Sequence, residues 1–147
     1  MDTRLHSIAP QLALRLAGCS ETIARAVVYE ACRRASRLLS GGDADVSGAL
    51  EQLGHGGGDV KLKEVFQSLG EQRDEQYLAL NDEDSETLSN EATALFRQAR
   101  AAFALAYGLS DSRSDTFEAV YEALSAETDE DQPAVISELE KHAASSA

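Results

Sequence analysis

The feature that most constrains the fold of this chain is a run near its middle, Ala101-Ala102-Phe103-Ala104-Leu105-Ala106-Tyr107, in which the Tyr hydroxyl is the only polar side-chain group. Upstream, Leu88, Ala92, Leu95, Ala99, Ala102 and Ala106 recur at three- and four-residue steps, the spacing of one helical face, and Phe96 and Phe103 widen that stripe. A helix that is apolar nearly all round must be covered on several sides, by its own domain or by a second copy. The segment Ser85–Leu109 is therefore read as the central helix. Gly108 at C′ and the apolar Leu109 folding back behind it read as its stop.

Other segments carry the same periodicity. Ile8, Leu12 and Leu16 predict a first helix over Leu5–Ala17, with Pro10 a reason for it to start only near Ala9. Ser20 caps a second helix running to about Leu39, with Ile23, Val27, Ala31, Ala35 and Leu38 inward and Arg25, Arg33, Arg34 and Arg37 on the other face. A short helix follows with Val46, Ala49, Leu50 and Leu53, then one using Leu62, Val65, Phe66 and Leu69. Gly70 either breaks that helix or is tolerated inside it, and Tyr77 and Leu80 continue its pattern. Asp115 with Glu118 predicts a capped start for a helix with Phe117, Val120, Tyr121 and Leu124 inward. Pro133 opens the last helix, with Val135, Ile136 and Leu139. With only two Pro and no sustained strand-like alternation, the reading is all-α: one domain over residues 1–147, a compact bundle of six or seven helices around the Ala-rich one.

Charge is distributed unevenly. Residues 1–70 hold eight Lys and Arg against eight Asp and Glu; residues 71–147 hold five against eighteen, which accounts for the whole net charge of −13. Such a surface repels nucleic-acid phosphates and anionic lipid and attracts basic proteins. The densest acidic clusters, Asp82-Glu83-Asp84 and Glu127 to Asp131, fall between helices, where a surface can be presented without disturbing the core. Asp82, Glu83, Asp84, Glu127, Asp129, Glu130 and Asp131 are accordingly the expected contact residues for a basic protein partner.

Motifs for catalysis, metals or cofactors do not emerge. Cys19 and Cys32 form no CxxC pair and read as reduced, half-buried thiols. His6, His55 and His142 are far apart and read as surface residues, with His55 foremost because it lies in a loop. Asp43, Asp45 and Ser47, with Gly48 at the sixth position, imitate the start of a calcium loop, but the twelfth position is Gly54 where a bidentate Glu is needed, so Asp43 and Asp45 read as helix caps. Gly54-His55-Gly56-Gly57-Gly58 has Lys61 and Lys63 nearby but lacks the Lys-Ser/Thr of a phosphate loop and reads as a linker. Asp82, Glu83, Asp84 and Glu86 could gather a cation only loosely. No leader sequence or membrane-length apolar run is visible, and the expected location is cytoplasmic.

Tyr29-Glu30-Ala31-Cys32, Gly42-Asp43 and Ala49-Leu50-Glu51-Gln52-Leu53, followed by an acidic loop and the Ala-rich helix Ala92–Leu109, resemble in layout the YjaG-like proteins, an all-helical bacterial family of unknown function. The likeness spans about two-thirds of the chain by pattern, departs from the family in lacking any Trp, implies a compact helical domain and assigns no functional residue.

The expected function is a non-enzymatic acidic protein-binding module that neutralises a basic partner, in the manner of an immunity protein against a secreted nuclease toxin. A small-ligand binder or enzyme with a site assembled from distant residues is the alternative; a polar cluster in a cavity of several hundred cubic ångströms, about the ligand-site range, would favour it. A homo-oligomer is the third. Ala94, Ala101, Ala104 and Leu105 lie off the main stripe and offer a second apolar face, so a homodimer through the central helix or its neighbour is expected.

Overall fold

The computed structural model describes residues 3–40, 42, 44–56, 58–81, 90–110 and 112–144. Among these residues there are eight α-helices and no strand: α1 (Arg4–Ile8), α2 (Pro10–Gly18), α3 (Glu21–Ser36), α4 (Val46–Gly54), α5 (Val60–Asn81), α6 (Asn90–Gly108), α7 (Arg113–Ser125) and α8 (Gln132–Ala144).

The first departure from expectation lies at Pro10, which opens α2. Pro10 has no N–H to continue the ladder and pushes Ala9 out of helical geometry, to φ −145° and ψ 69°. Ala9 N–H closes α1 on the Leu5 carbonyl, and the Ala9 carbonyl accepts from Ala13 to start α2. The predicted helix Leu5–Ala17 is thus two helices, which raises the count to eight.

Two helices hold the centre. α6 packs against α3, α5 and α7, and α3 packs against α4, α6, α7 and α8. One buried apolar cluster takes side chains from every helix, among them Leu5, Leu12, Leu16, Val27, Val28, Leu53, Phe66, Leu105, Leu124 and Leu139. Ala101, Ala102, Ala104, Leu105 and Ala106 are all buried, as the apolar run requires. Small residues let neighbouring helices approach. At Gly108 a Cβ would meet Leu53 Cδ2 at 2.9 Å, Cys32 Sγ at 3.1 Å and Val28 Cγ1 at 3.2 Å. Gly108 is therefore the last helical residue of α6, required by close packing, and not the left-handed C′ residue expected from sequence. Leu109 does fold back: it is fully buried and donates its N–H to the Leu105 carbonyl.

Local signals set the other boundaries. Ser20 Oγ accepts from Ile23 N–H at 3.2 Å and caps α3, which stops at Ser36 in tight turns through Leu39. Asp45 accepts from Gly48 N–H at 2.9 Å and caps α4. Gly56 and Gly58 take φ of 100° and 87°, the left-handed region that favours glycine, and Gly58 N–H reaches the Leu109 carbonyl at 2.6 Å. α7 begins at Arg113, two residues before the expected Asp115.

α5 runs unbroken through Gly70. A Cβ there would lie 2.9 Å from the Phe103 ring, so glycine is what lets α5 lie against α6. Beyond this point the two helices form an antiparallel hairpin. Arg100 Nη2 donates to Asp74 Oδ2 at 2.6 Å, and the Tyr77 and Phe96 rings meet at 5.4 Å.

Candidate functional site

The outer half of this hairpin is unlike the rest of the bundle. Among the described residues α5 packs chiefly along α6, and Lys63 near its start approaches Asp115 of α7 at 4.0 Å. Its buried residues are Phe66, Leu69 and Gly70; no side chain in residues 71–80 is buried. Across from them, Ala92 is the one buried residue in 90–98. Yet these turns carry Tyr77, Leu78, Ala79, Leu80, Ala94, Leu95 and Phe96. Leu78 is 55% exposed and Phe96 37%. A hollow of about 330 Å³ lies between the helices, lined by Gln76, Ala79, Leu80, Glu91 and Leu95. Glu91, which lines it, is exposed, as are Glu71 and Glu75 earlier on α5.

Of the residues expected to meet a partner, Asp82, Glu83 and Asp84 lie outside the described residues, as do Asp43, Glu86 and Gly57. Asp82 follows α5 directly in sequence. Asp129, Glu130 and Asp131 are exposed, in the turn that leads into α8. Thr128 organises that turn by accepting from Asp131 N–H through both its carbonyl and its hydroxyl, each at 3.1 Å. Glu127 is a correction: its side chain is 1% exposed and receives two hydrogen bonds from Arg37, at 3.0 and 2.6 Å. A buried, paired carboxylate presents nothing to a partner, and the bond to Glu127 raises the Arg37 pKa. Arg97 Nε donates to the Ala126 carbonyl at 2.7 Å, tying the outer half of α6 to the loop that carries Asp129, Glu130 and Asp131.

The second apolar face expected on the central helix is also corrected. Ala101, Ala104 and Leu105 are covered within the chain, leaving Ala94 exposed. The large apolar side chains left exposed are Val60, Val65 and Leu78 on α5, Phe96 on α6 and Leu14 on α2.

Several titratable groups elsewhere are held in place by partners. Glu122 on α7 is buried between Arg100 (Nη1 to Oε2, 3.1 Å) and Arg4 (Nη2 to Oε1, 3.1 Å), and Arg4 also binds Glu118. Burial pushes the Glu122 carboxyl above its usual pKa, and the two guanidinium groups pull it only part of the way back. Tyr107 is raised by burial and then by Glu118 and Glu122, so it keeps its proton. Burial raises the Cys32 thiol to about 12; it points at the Ala104 carbonyl, 3.4 Å away, and behaves as a small apolar residue. Cys19 is half-buried against the Leu16 carbonyl.

The histidines have local partners. His6, read as a surface residue, is half-buried: its Nδ1 accepts from Thr3 N–H at 3.0 Å in a capping box, and its ring stacks on Phe117. His55 Nδ1 lies 2.8 Å from the Glu51 carbonyl, and His142 Nε2 lies 3.9 Å from Glu138. Among the described residues no group of three His, Cys, Asp or Glu is arranged to hold a metal ion, and no helix is long and apolar enough to cross a membrane.

Comparison of the chain with protein-family models, with curated proteins and with solved structures returns no match.

Proposed function

We propose that this chain is a non-enzymatic acidic binding protein, and that the outer end of the α5–α6 hairpin is its contact surface for a basic protein. The observation that carries this reading is that Leu78, Ala79, Ala94 and Phe96 are exposed on this end of the hairpin, with Tyr77, Leu80 and Leu95 only half-buried. A covered interface removes that apolar area from water. Glu91 is exposed at the hollow and Glu71 and Glu75 are exposed on α5, so the fitting partner brings apolar side chains on a positively charged background. Asp82, Glu83 and Asp84, adjacent in sequence, extend the acidic character. A small protein of this kind acts by occupying its partner, as an immunity protein blocks a basic nuclease.

The test is a photo-reactive residue placed at Leu78 in the source cell, with one at Leu14, exposed on α2, as control. The reading expects a discrete adduct with a basic protein at Leu78, lost when salt is raised to about 0.5 M, where the Debye length falls to about 4 Å. Equal labelling at both positions contradicts it. An adduct with a second copy of this chain replaces it with a homodimer through the same surface.

A further inference from the structure

From a second surface, independent of the hairpin, we infer that the groove between α3, the end of α4 and the end of α8 binds a small molecule with an anionic head and an apolar body, a carboxylic acid in the simplest case. The groove is open on one side and has a volume of about 710 Å³, within the span of ~300–1,000 Å³ common for ligand sites. Ala26, Tyr29, Leu53 and Gly54 supply an apolar wall, and Arg25 supplies the charge.

Arg25 is half-buried, and burial lowers its pKa, so its charge is incompletely solvated. Its Nη2 donates to the Gly108 carbonyl at 2.6 Å, which fixes the guanidinium at the C-terminal end of α6, while its Nε is buried without an acceptor. No carboxylate of the described residues lies within 4.0 Å of its guanidinium nitrogens. Glu21 and Glu30 also line the groove, but each is engaged elsewhere: Glu21 by Arg113 at 2.8 Å, and Glu30 by Arg33 and Arg34 at 2.6 and 3.2 Å. His142, on the α8 side, faces Glu138. Glu21 acts on Arg25 through its charge but forms no direct ion pair with it, so the groove holds a guanidinium without a direct carboxylate partner beside an apolar wall. A carboxylate against Arg25 supplies that direct ion pair, and an aromatic or aliphatic body covers Tyr29 and Leu53.

The experiment titrates the protein with 2-naphthoate and decanoate, and with the uncharged 2-naphthalenemethanol, following backbone amide NMR shifts. The inference expects saturable shifts centred on Arg25, Tyr29, Leu53 and Gly54, with at least tenfold weaker binding of the alcohol. Arg25→Gln should lose the preference for the acid. Ala26→Trp, a change at an exposed wall position that leaves Arg25 and its Gly108 contact intact, should block both acids while preserving the native spectrum. The inference is overturned if neither acid shifts these amides, if acid and alcohol bind alike, or if the shifts persist in Ala26→Trp.

Discussion

The Phe103 ring occupies the space that a Cβ on residue 70 would need, 2.9 Å from where that atom would lie. This contact fixes the distance between α5 and α6 and so places the hairpin on the bundle. Gly70→Ala gains about 1 kcal/mol of helix propensity and meets an overpacking cost of about 1–3 kcal/mol. We expect net destabilisation of about 1 kcal/mol by urea denaturation, recovered when Phe103→Leu is added. A stabilised Gly70→Ala protein would show that the helices do not meet there.

Phe103 itself is half-buried, with the Arg100 guanidinium 5.2 Å from its ring centre. Phe103→Asp removes the ring that packs on Gly70 and leaves a half-buried carboxylate in its place, and should cost about 3 kcal/mol. A melting temperature within a degree or two of the parent would contradict the burial of this stretch of α6.

Acidic residues in one loop should behave in opposite ways. Glu127→Gln weakens a buried bidentate pair with Arg37 and should cost about 1–3 kcal/mol. Changing Asp129, Glu130 and Asp131 together to Asn or Gln should alter stability by only about 0.5 kcal/mol, because all three are exposed. Thermal melts of the two variants separate these outcomes, and equal effects would contradict the difference in burial.

Glu122 gives a pH signature. Burial raises its carboxyl pKa in the folded chain above the unfolded value, so the folded state holds the proton more tightly. That contribution to stability is fully present below the unfolded pKa and is lost as pH rises through the folded one. The stability difference between the parent and Glu122→Gln should therefore shift against the parent across that interval. Carbon-13 titration of the Glu122 carboxyl should show the raised midpoint directly, and a midpoint at or below the ordinary carboxylate value would contradict it.

Much of the bundle was legible in the sequence. The run Ala101–Tyr107 required a helix buried on several sides, and the structure covers it with α3, α5 and α7. Ser20 and Asp45 marked helix starts by residue type alone. What escaped depends on contacts between distant segments. Glu127 looked like one more solvated acid because Arg37 lies 90 residues away. Ala104 and Leu105 looked available to a second copy because nothing local announces which helices cover them. The bare outer half of α5 left one signal: after Leu69 only Tyr77 and Leu80 continued its apolar stripe, too little to bury a helix face. The α3–α4–α8 groove left none, since its lining runs from Glu21 to His142.

Charge at the hairpin end should act mainly on encounter. Neutralising Asp82, Glu83, Asp84 and Glu91 should slow association with the basic partner and flatten its salt dependence, with a smaller change in dissociation. Adding Asp129, Glu130 and Asp131 to the set should slow it further, because Arg97 ties their loop to α6. Stopped-flow or surface-based kinetics at several ionic strengths would read this, and unchanged association rates would assign the acidity to solubility alone.

Hydrogen exchange at residues 71–81 and 90–98, measured on the chain alone and with its captured partner, tests the central claim most directly. Alone, these amides should exchange through openings of low free energy, far faster than those of α3, because almost no side chain there is buried. With the partner bound, protection should rise in these two segments. Strong protection in the free chain, or protection on binding that appears elsewhere and spares both segments, would contradict the claim that the hairpin end is the contact surface.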